Sequence, residues 1–217
     1  MKKLLHIAKY YDGRFGGIEE ITSLINKKFS NNYDIRTLGF GERNYKEDNV
    51  LIFKPLITIN SQPISIDFVK EIYKSSKKCD FIYLHYPNVL AIFALLFVKN
   101  KKIIIHWHSD IIKQKIIYFF IRWMETKVLK KTSLIIVSSK NYLKSSKPLK
   151  KFHNKTSIVN YGIKDPFTNK DFSKKKISDI NKIKKINILS IGRLVPYKGQ
   201  KYLIKAMNYL DNKKYNL

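Results

Sequence analysis

Three short stretches of this chain carry residue types that do chemistry. The run HWHSD at 106–110 sets His106 and His108 two positions apart, with Asp110 two further on. In an extended strand residues i and i+2 share one face, so both imidazoles can address one ligand. Neutral imidazoles and a carboxylate are also zinc ligands, so a metal-dependent hydrolase built on His106, His108 and Asp110 is one reading. Such sites generally use further histidines, and the others, His6, His85 and His153, stand in no recognisable motif. A second stretch, GRFGGIE at 13–19, offers Gly13, Gly16 and Gly17 ahead of a helix. Glycines admit a ligand close to the backbone, and a helix N-terminus presents free N–H groups to an anion. It is not the dinucleotide pattern G-x-G-x-x-G, which disfavours a nicotinamide cofactor. The third, GRLVPYKG at 192–199, places Arg193 and Lys198 on one loop beside glycines and a helix start, a combination suited to a diphosphate. It lacks the G-K-[ST] of a P-loop, so ATP hydrolysis is not indicated.

These groups need a scaffold. Short β-rich apolar runs alternate with longer helical segments, which predicts βα units around a parallel sheet. Strands are predicted at 3–8, 33–38, 50–57, 80–85, 102–107, 133–137 and 157–160. Helices are predicted at 18–29, 66–77, 87–98 and 111–130, with a short one beyond Ser138 and Ser139. The first helix shows Ile18, Ile21, Leu24, Ile25 and Phe29 as an apolar face, and Pro87 suits a first helical turn. HWHSD then falls at the carboxyl end of a strand, where open parallel sheets place ligand-contacting residues. From 164 to 185 the chain is polar and Lys-rich and reads as an interdomain linker. A fresh buried strand at 186–191 and a helix at 199–210 follow, and one strand with one helix cannot bury a core of its own. The expected division is therefore a domain at 1–163, a linker at 164–185 and the start of a second domain at 186–217.

Composition sets the outer bounds. The 217 residues hold one packed domain of about 150–180 residues with a remainder too short for a second. A hydrophobic content of 44% and an aromatic content of 13% exclude wholesale disorder. Cys79 is the single cysteine, so no intramolecular disulfide forms and a reducing, cytoplasmic compartment fits, with no cleavable signal visible at the start. The apolar runs VLAIFALLFV (89–98) and IIYFFIRWM (116–124, interrupted by Arg122) fall well short of the roughly 20 residues a membrane span needs.

The 43 Lys+Arg against 16 Asp+Glu give a net charge of +27. That excess suits a polyanion, either anionic lipid or nucleic acid, or it follows from a Lys-, Ile- and Asn-rich composition with scattered lysines. A basic nucleic-acid-binding protein is thus a competing reading. No helix-turn-helix, zinc module or RNP-like motif is present, so no nucleic-acid partner is expected. Residues 113–131 mix aromatics and lysines. They suit peripheral contact with an anionic membrane, and equally a domain helix with its apolar side on the sheet.

Taken together, these residues resemble a known family. ILSIGRL at 188–194, Lys198-Gly199, and then Leu203, Ala206 and Met207 look like the donor-site signature of the GT4 family of retaining glycosyltransferases. Gly16-Gly17-Ile18-Glu19, the stretch around His108, Val137-Ser138-Ser139 and Tyr161-Gly162-Ile163 fall in family order, and HWHSDIIKQK at 106–115 is similar to mannosyltransferase-like members. The resemblance covers essentially the whole chain. It implies a GT-B architecture: a Rossmann-like parallel sheet as the acceptor-side domain, followed by the first β-α unit of an incomplete second Rossmann-like domain.

By the same resemblance, Arg193 and Lys198 bind the donor diphosphate, and Gly16 and Gly17 give backbone room near it. His108 sits beside the transferred sugar as the catalytic-site residue, with Asp110, Ser139 and Gly162 along the substrate cleft. The implied partners are a nucleotide-sugar donor and a saccharide or lipid-linked acceptor at the inner face of the cell membrane. No metal or other cofactor is expected. The family's E-x7-E glutamate pair lies beyond the last residue, so the chain is expected to be truncated and inactive or weak alone.

Overall fold

The computed structural model describes residues 1–11, 16–59, 61–111, 117–162, 185–192 and 194–217, with the backbone alone at 117, 118 and 197. The predicted segments 12–15, 112–116, 163–184 and position 193 lie outside the described residues. Two compact units emerge, Met1–Tyr161 and Gly162–Leu217.

The first unit is built on an eight-stranded sheet. Its elements run β1 (Lys2–Tyr10), α1 (Gly17–Phe29), β2 (Tyr33–Phe40), β3 (Tyr45–Glu47), β4 (Val50–Phe53), β5 (Ile57–Ile59), β6 (Gln62–Ile64), α2 (Ile66–Ser76), β7 (Phe81–Tyr86), α3 (Val89–Leu96), β8 (Lys102–Trp107), α4 (Ile117–Lys131), β9 (Leu134–Val137), α5 (Lys140–Ser145) and β10 (Thr156–Ile158). The strand order is β10-β9-β8-β7-β1-β2-β4-β3, and β5 and β6 form a separate hairpin. Within the large sheet every pair is parallel except β3 with β4. The α/β class with a Rossmann-like parallel sheet is borne out.

The two sheet faces differ in chemistry. One face sends Leu5, Ile7, Leu38, Phe40, Ile82, Leu84, Tyr86, Ile105 and Trp107 into the main core. Phe68 and Ile72 of α2, Ala91, Ile92 and Leu95 of α3, and Val128 and Leu129 of α4 meet them there. The opposite face carries the small cluster Leu4, Ile35 and Tyr83, covered in part by Ile25 of α1. Ile104, Ile136, Tyr33 and Phe81 pack against that cluster, and the same face carries the buried polar groups His6, Thr37, His85 and His106. Thr22 is the buried residue of α1, whereas Leu24, expected in the apolar stripe, is exposed.

Local chemistry sets the helix ends. Ser65 caps α2 by accepting from Phe68 N at 3.3 Å. Asn88 caps α3 through Ala91 N at 3.1 Å and donates from its amide to Ala8 O at 3.1 Å, tying the α3 start to β1. Pro87 therefore precedes the cap rather than entering the first turn, and its bond to Tyr86 is cis. At the other end Lys131 Nζ donates to Leu96 O at 3.2 Å and Val98 O at 2.6 Å, satisfying carbonyls at the α3 C-terminus. The predicted strand at 50–57 is instead β4 followed by the β5–β6 hairpin. Pro55, which has no N–H to donate, falls between them. The short edge strand β3 was not foreseen.

The second unit holds β11 (Ile186–Asn187), a 3-10 turn at Pro196–Lys198, α6 (Gln200–Met207) and β12 (Tyr215–Asn216). The predicted strand at 186–191 pairs only over its first two residues. A second strand, β12, lies parallel to it, with Ile186 opposite Tyr215. Gly199 takes φ 74°, ψ 12° at the start of α6, a left-handed conformation that favours glycine. Leu189, Ile191 and Leu194 are exposed, as are Tyr202 and Tyr209, so the described residues of this unit present apolar surface.

Candidate active site

Chain topology locates the site. From β1, the strands β2 and β4 extend to one side, while β7, β8, β9 and β10 extend to the other. Ligands of open α/β sheets bind outside the carboxyl ends of the strands where the order reverses. Four imidazoles gather near this point: His6 on β1, His85 and His106 near the ends of β7 and β8, and His108 just past β8. Parallel register sets His6 opposite Tyr83 and His85 opposite His106. By strand alternation all four rings lie on the α1 face.

The rings touch one another. His6 Nε2 lies 2.7 Å from His85 Nε2, and His85 Nδ1 lies 2.8 Å from His108 Nε2. His108 Nδ1 reaches the Tyr161 hydroxyl at 2.5 Å, and His6 Nδ1 meets Asn26 Oδ1 at 2.5 Å. His106 stacks on His108 with centroids 4.2 Å apart, and its Nδ1 lies 3.1 Å from the Tyr83 hydroxyl. His106 and His108 thus have their rings in direct contact.

Burial keeps this group neutral. Desolvation, opposed by the Asn26 hydrogen bond and aided by His106, takes His6 down to about 4. Desolvation lowers His106 to about 4, and with the nearby His106 it lowers His108 to about 3. His85, enclosed by His6, His108 and His106, is pushed well below the ordinary imidazole value, chiefly by desolvation. A charge on any of these rings would sit in a poorly solvated space beside other rings.

The other predicted site residues fall in different settings. Asp110 Oδ1 accepts from Trp107 Nε1 (2.8 Å), Tyr142 Oη (2.6 Å) and Ser146 Oγ (2.8 Å), which ties the β8 end to α5 and its C-cap. Ser139 caps α5 by accepting from Tyr142 N at 3.1 Å. Gly16 precedes α1 with an extended backbone, and Gly17 opens the helix with no atom within 4 Å of where a Cβ would stand. Neither backbone requires glycine. A Cβ at Gly16 would meet Glu19 Oε2 at 2.3 Å, the far end of a flexible side chain, whereas Gly17 stands in open space. Gly162 is exposed and equally uncrowded. Lys198 ends the 3-10 turn of the second unit, exposed. Arg193 lies outside the described residues.

His85, His106 and His108 offer ligand atoms within 4.8 Å of one another, enough to consider a metal ion. Asp110 is not of that group, which removes the carboxylate from the H-x-H-x-D hydrolase reading. Both nitrogens of His85 are taken by other imidazoles, so a metal would have to displace hydrogen bonds already made.

Sequence reading missed His6, His85 and Asn26, and it placed Tyr161 in a motif without its contact to His108. The available signal was a histidine inside each of two otherwise apolar strands. It also missed Glu125, almost fully buried on α4, which accepts from the Tyr86 hydroxyl and faces Arg122 Nη1 at 3.6 Å. Desolvation raises the Glu125 carboxyl against the opposing pull of Tyr86 and Arg122. Glu125→Gln keeps an acceptor for Tyr86 without burying a charge. It is expected to raise stability at pH 7 more than at pH 4, where the native carboxyl is already neutral, read from thermal melts at the two pH values.

No family model matches the sequence. O-antigen chain mannosyltransferase C of Escherichia coli is 28% identical over 170 residues, 74% of this chain and 46% of that protein. D-rhamnosyltransferase WbpZ of Pseudomonas aeruginosa is 24% identical over 156 residues, 71% of this chain and 41% of that protein. Among solved structures, Anabaena HepE in complex with UDP and glucose aligns with a TM-score of 0.64 at 17% identity, covering 99% of this chain and 60% of that one. By sequence and by fold, this chain is similar to glycosyltransferases. The catalytic domain of starch synthase IV from Arabidopsis thaliana, bound to ADP and acarbose, shares the fold with a TM-score of 0.57 at 12% identity, over 96% of this chain and 66% of that one. The chain spans about half the length of the curated relatives it matches.

Proposed function

We propose that this chain supplies the acceptor-side portion of a GT4-like, retaining glycosyltransferase of the GT-B type. It transfers a hexose, with mannose the expected one, from a nucleotide-sugar to a growing surface polysaccharide or lipid-linked acceptor. The observation that carries the reading is the row of neutral imidazoles ending in His108 at the sheet's switch point. A neutral ring there can hydrogen-bond a sugar hydroxyl without adding charge to the cleft. The relatives named as mannosyl- and rhamnosyltransferases, and the fold shared with a UDP- and glucose-bound structure, support the same reading. Residues 1–163 form the acceptor-side domain, 164–185 the linker and 186–217 the start of the nucleotide-sugar domain. Arg193 and Lys198 grip the donor diphosphate, Gly16 and Gly17 leave it room, and the nucleotide-sugar is substrate, with no metal in the mechanism.

The test is hexose transfer from GDP-mannose and UDP-sugars, assayed with the full product of the reading frame. Charge-assisted hydrogen bonds are worth about 1.5–3 kcal/mol, so Arg193→Ala and Lys198→Ala are each expected to lower kcat/KM roughly 10- to 100-fold. Unchanged kcat/KM in both variants removes the donor-binding role.

The acceptor side also suits an anionic lipid surface at the inner face of the cell membrane. Helices α3 and α4 pack together and expose Phe93 and the C-cap residue Phe97 on one, Phe119, Phe120 and Trp123 on the other, with Lys127 over the Trp123 ring at 6.0 Å. No described helix is long and apolar enough to cross a membrane. Aromatics flanked by cations favour interfacial docking. Cosedimentation with vesicles containing phosphatidylglycerol is expected, weakened by Phe119→Ser with Phe120→Ser. Equal sedimentation of that variant and the parent counts against this face.

A further inference from the structure

The histidine row has a direction, and one residue at its buried end sets it. A neutral imidazole has one N–H donor and one bare nitrogen acceptor, so in a row of linked rings the state of any one fixes the others. At the inner end Asn26 Nδ2 lies 2.9 Å from the Tyr11 hydroxyl and 2.7 Å from Thr37 Oγ1, which takes both amide hydrogens. Asn26 Oδ1 accepts from the Thr37 hydroxyl at 3.0 Å and faces His6 Nδ1 at 2.5 Å. His6 must then carry its proton on Nδ1 and accept at Nε2. His85 donates from Nε2 to His6, at 2.7 Å, and accepts at Nδ1. His108 donates from Nε2 to His85, at 2.8 Å, and its Nδ1 is left as an acceptor. The Tyr161 hydroxyl donates to that atom at 2.5 Å. His6 and His85 are fully buried, whereas Tyr161 is 43% exposed, so among the described residues the row opens to ligands at its His108 end.

We propose that Asn26, His6 and His85 are positioning residues that hold His108 as the Nε2–H tautomer, presenting Nδ1 as an acceptor to a hydroxyl. That hydroxyl is Tyr161's here and a sugar's when a ligand displaces Tyr161. The assignment of a sugar to His108 rests on the proposed function, whereas the tautomer does not. The row acts as an outer support does for a metal-ligating histidine, where the partner of the far nitrogen decides what the near one offers. No protein charge is needed, which fits the depressed imidazole values of all three rings.

The tautomers are read directly from long-range 1H–15N correlations of the full chain labelled with 15N-histidine, near pH 7 and without any nucleotide-sugar. His108 and His85 are expected to show a protonated Nε2 and a bare Nδ1, and His6 the reverse. Asn26→Leu removes the acceptor at the inner end, so His108 is expected to shift to a mixture of tautomers. Asn26→Asp keeps an acceptor there, with the Tyr11 and Thr37 hydroxyls turned to donate, and is expected to retain the parent pattern. A protonated Nδ1 on His108 in the parent chain overturns the proposal, as does an unchanged His108 pattern in a folded Asn26→Leu chain. Should the Leu variant not fold, the parent and Asp spectra still decide. Because the spectra need no substrate, a failure of the transferase reading leaves their outcome untouched.

Discussion

Acidification from pH 7 to pH 4 is expected to strip the first unit of much of its stability, with the steepest loss below about pH 6.5. In the unfolded chain each imidazole titrates near 6.5, whereas in the fold His6 and His106 are held to about 4 and His108 to about 3. Between those values the unfolded state binds more protons than the native one, so stability rises with pH across the window. The contribution is complete above the unfolded value and is lost as pH falls towards the folded ones. Each such group contributes about 1.4 kcal/mol per pH unit, or about 3 kcal/mol over the displacement of His6 or His106 and about 5 kcal/mol over that of His108. The rings are neighbours, so the total is less than the sum over the row. Even one group's share is large against the roughly 5–15 kcal/mol of a typical domain. Glu125 works the other way, because its raised carboxyl is relieved by acid, but it is one group against a row. Urea midpoints measured at fixed ionic strength from pH 8 to pH 4 check this. A midpoint that stays flat between pH 6.5 and 4.5 contradicts a buried neutral row.

Trp107→Ala is expected to be the most damaging single truncation near the site, at about 3–5 kcal/mol. The side chain is fully buried and stacks on Tyr86 with centroids 3.7 Å apart and planes 14° from parallel. Its Nε1–H reaches Asp110 at 2.8 Å and the Tyr142 hydroxyl at 3.1 Å. Truncation opens a cavity between β8, β7 and α5 and removes one of three donors from the Asp110 oxygen. It sits between His106 and His108 in sequence, so loosening here also unsettles both rings. Trp107→Phe keeps most of the stacking area and loses the N–H, so a cost of about 1–2 kcal/mol is expected. Urea unfolding of the two variants separates these contributions. Equal costs for Phe and Ala would place the weight on the hydrogen bond rather than on packing.

Fold and site were legible to different depths. Strand 102–107 was read to the residue, because three consecutive isoleucines leave a buried strand little alternative. The edge strand β3 and the tail strand β12 were not read, since two or three residues carry no periodicity to detect. The chemistry of the α1 face was misjudged at Leu24 for a related reason. The apolar spacing of a helix says which side is greasy, but not whether the sheet opposite is polar.

Local pattern by itself determined the alternation of strands and helices and the placing of HWHSD at a strand's carboxyl end, because both follow from spacing along the chain. Only the tertiary structure decided that His6 and His85 join His108, and that Asp110 serves Trp107, Tyr142 and Ser146. His6 and His85 are 79 residues apart and meet because β1 and β7 are neighbours in the sheet. Strand order is a property of the packed whole, set by which crossovers bury the most apolar surface, and no short stretch of sequence encodes it.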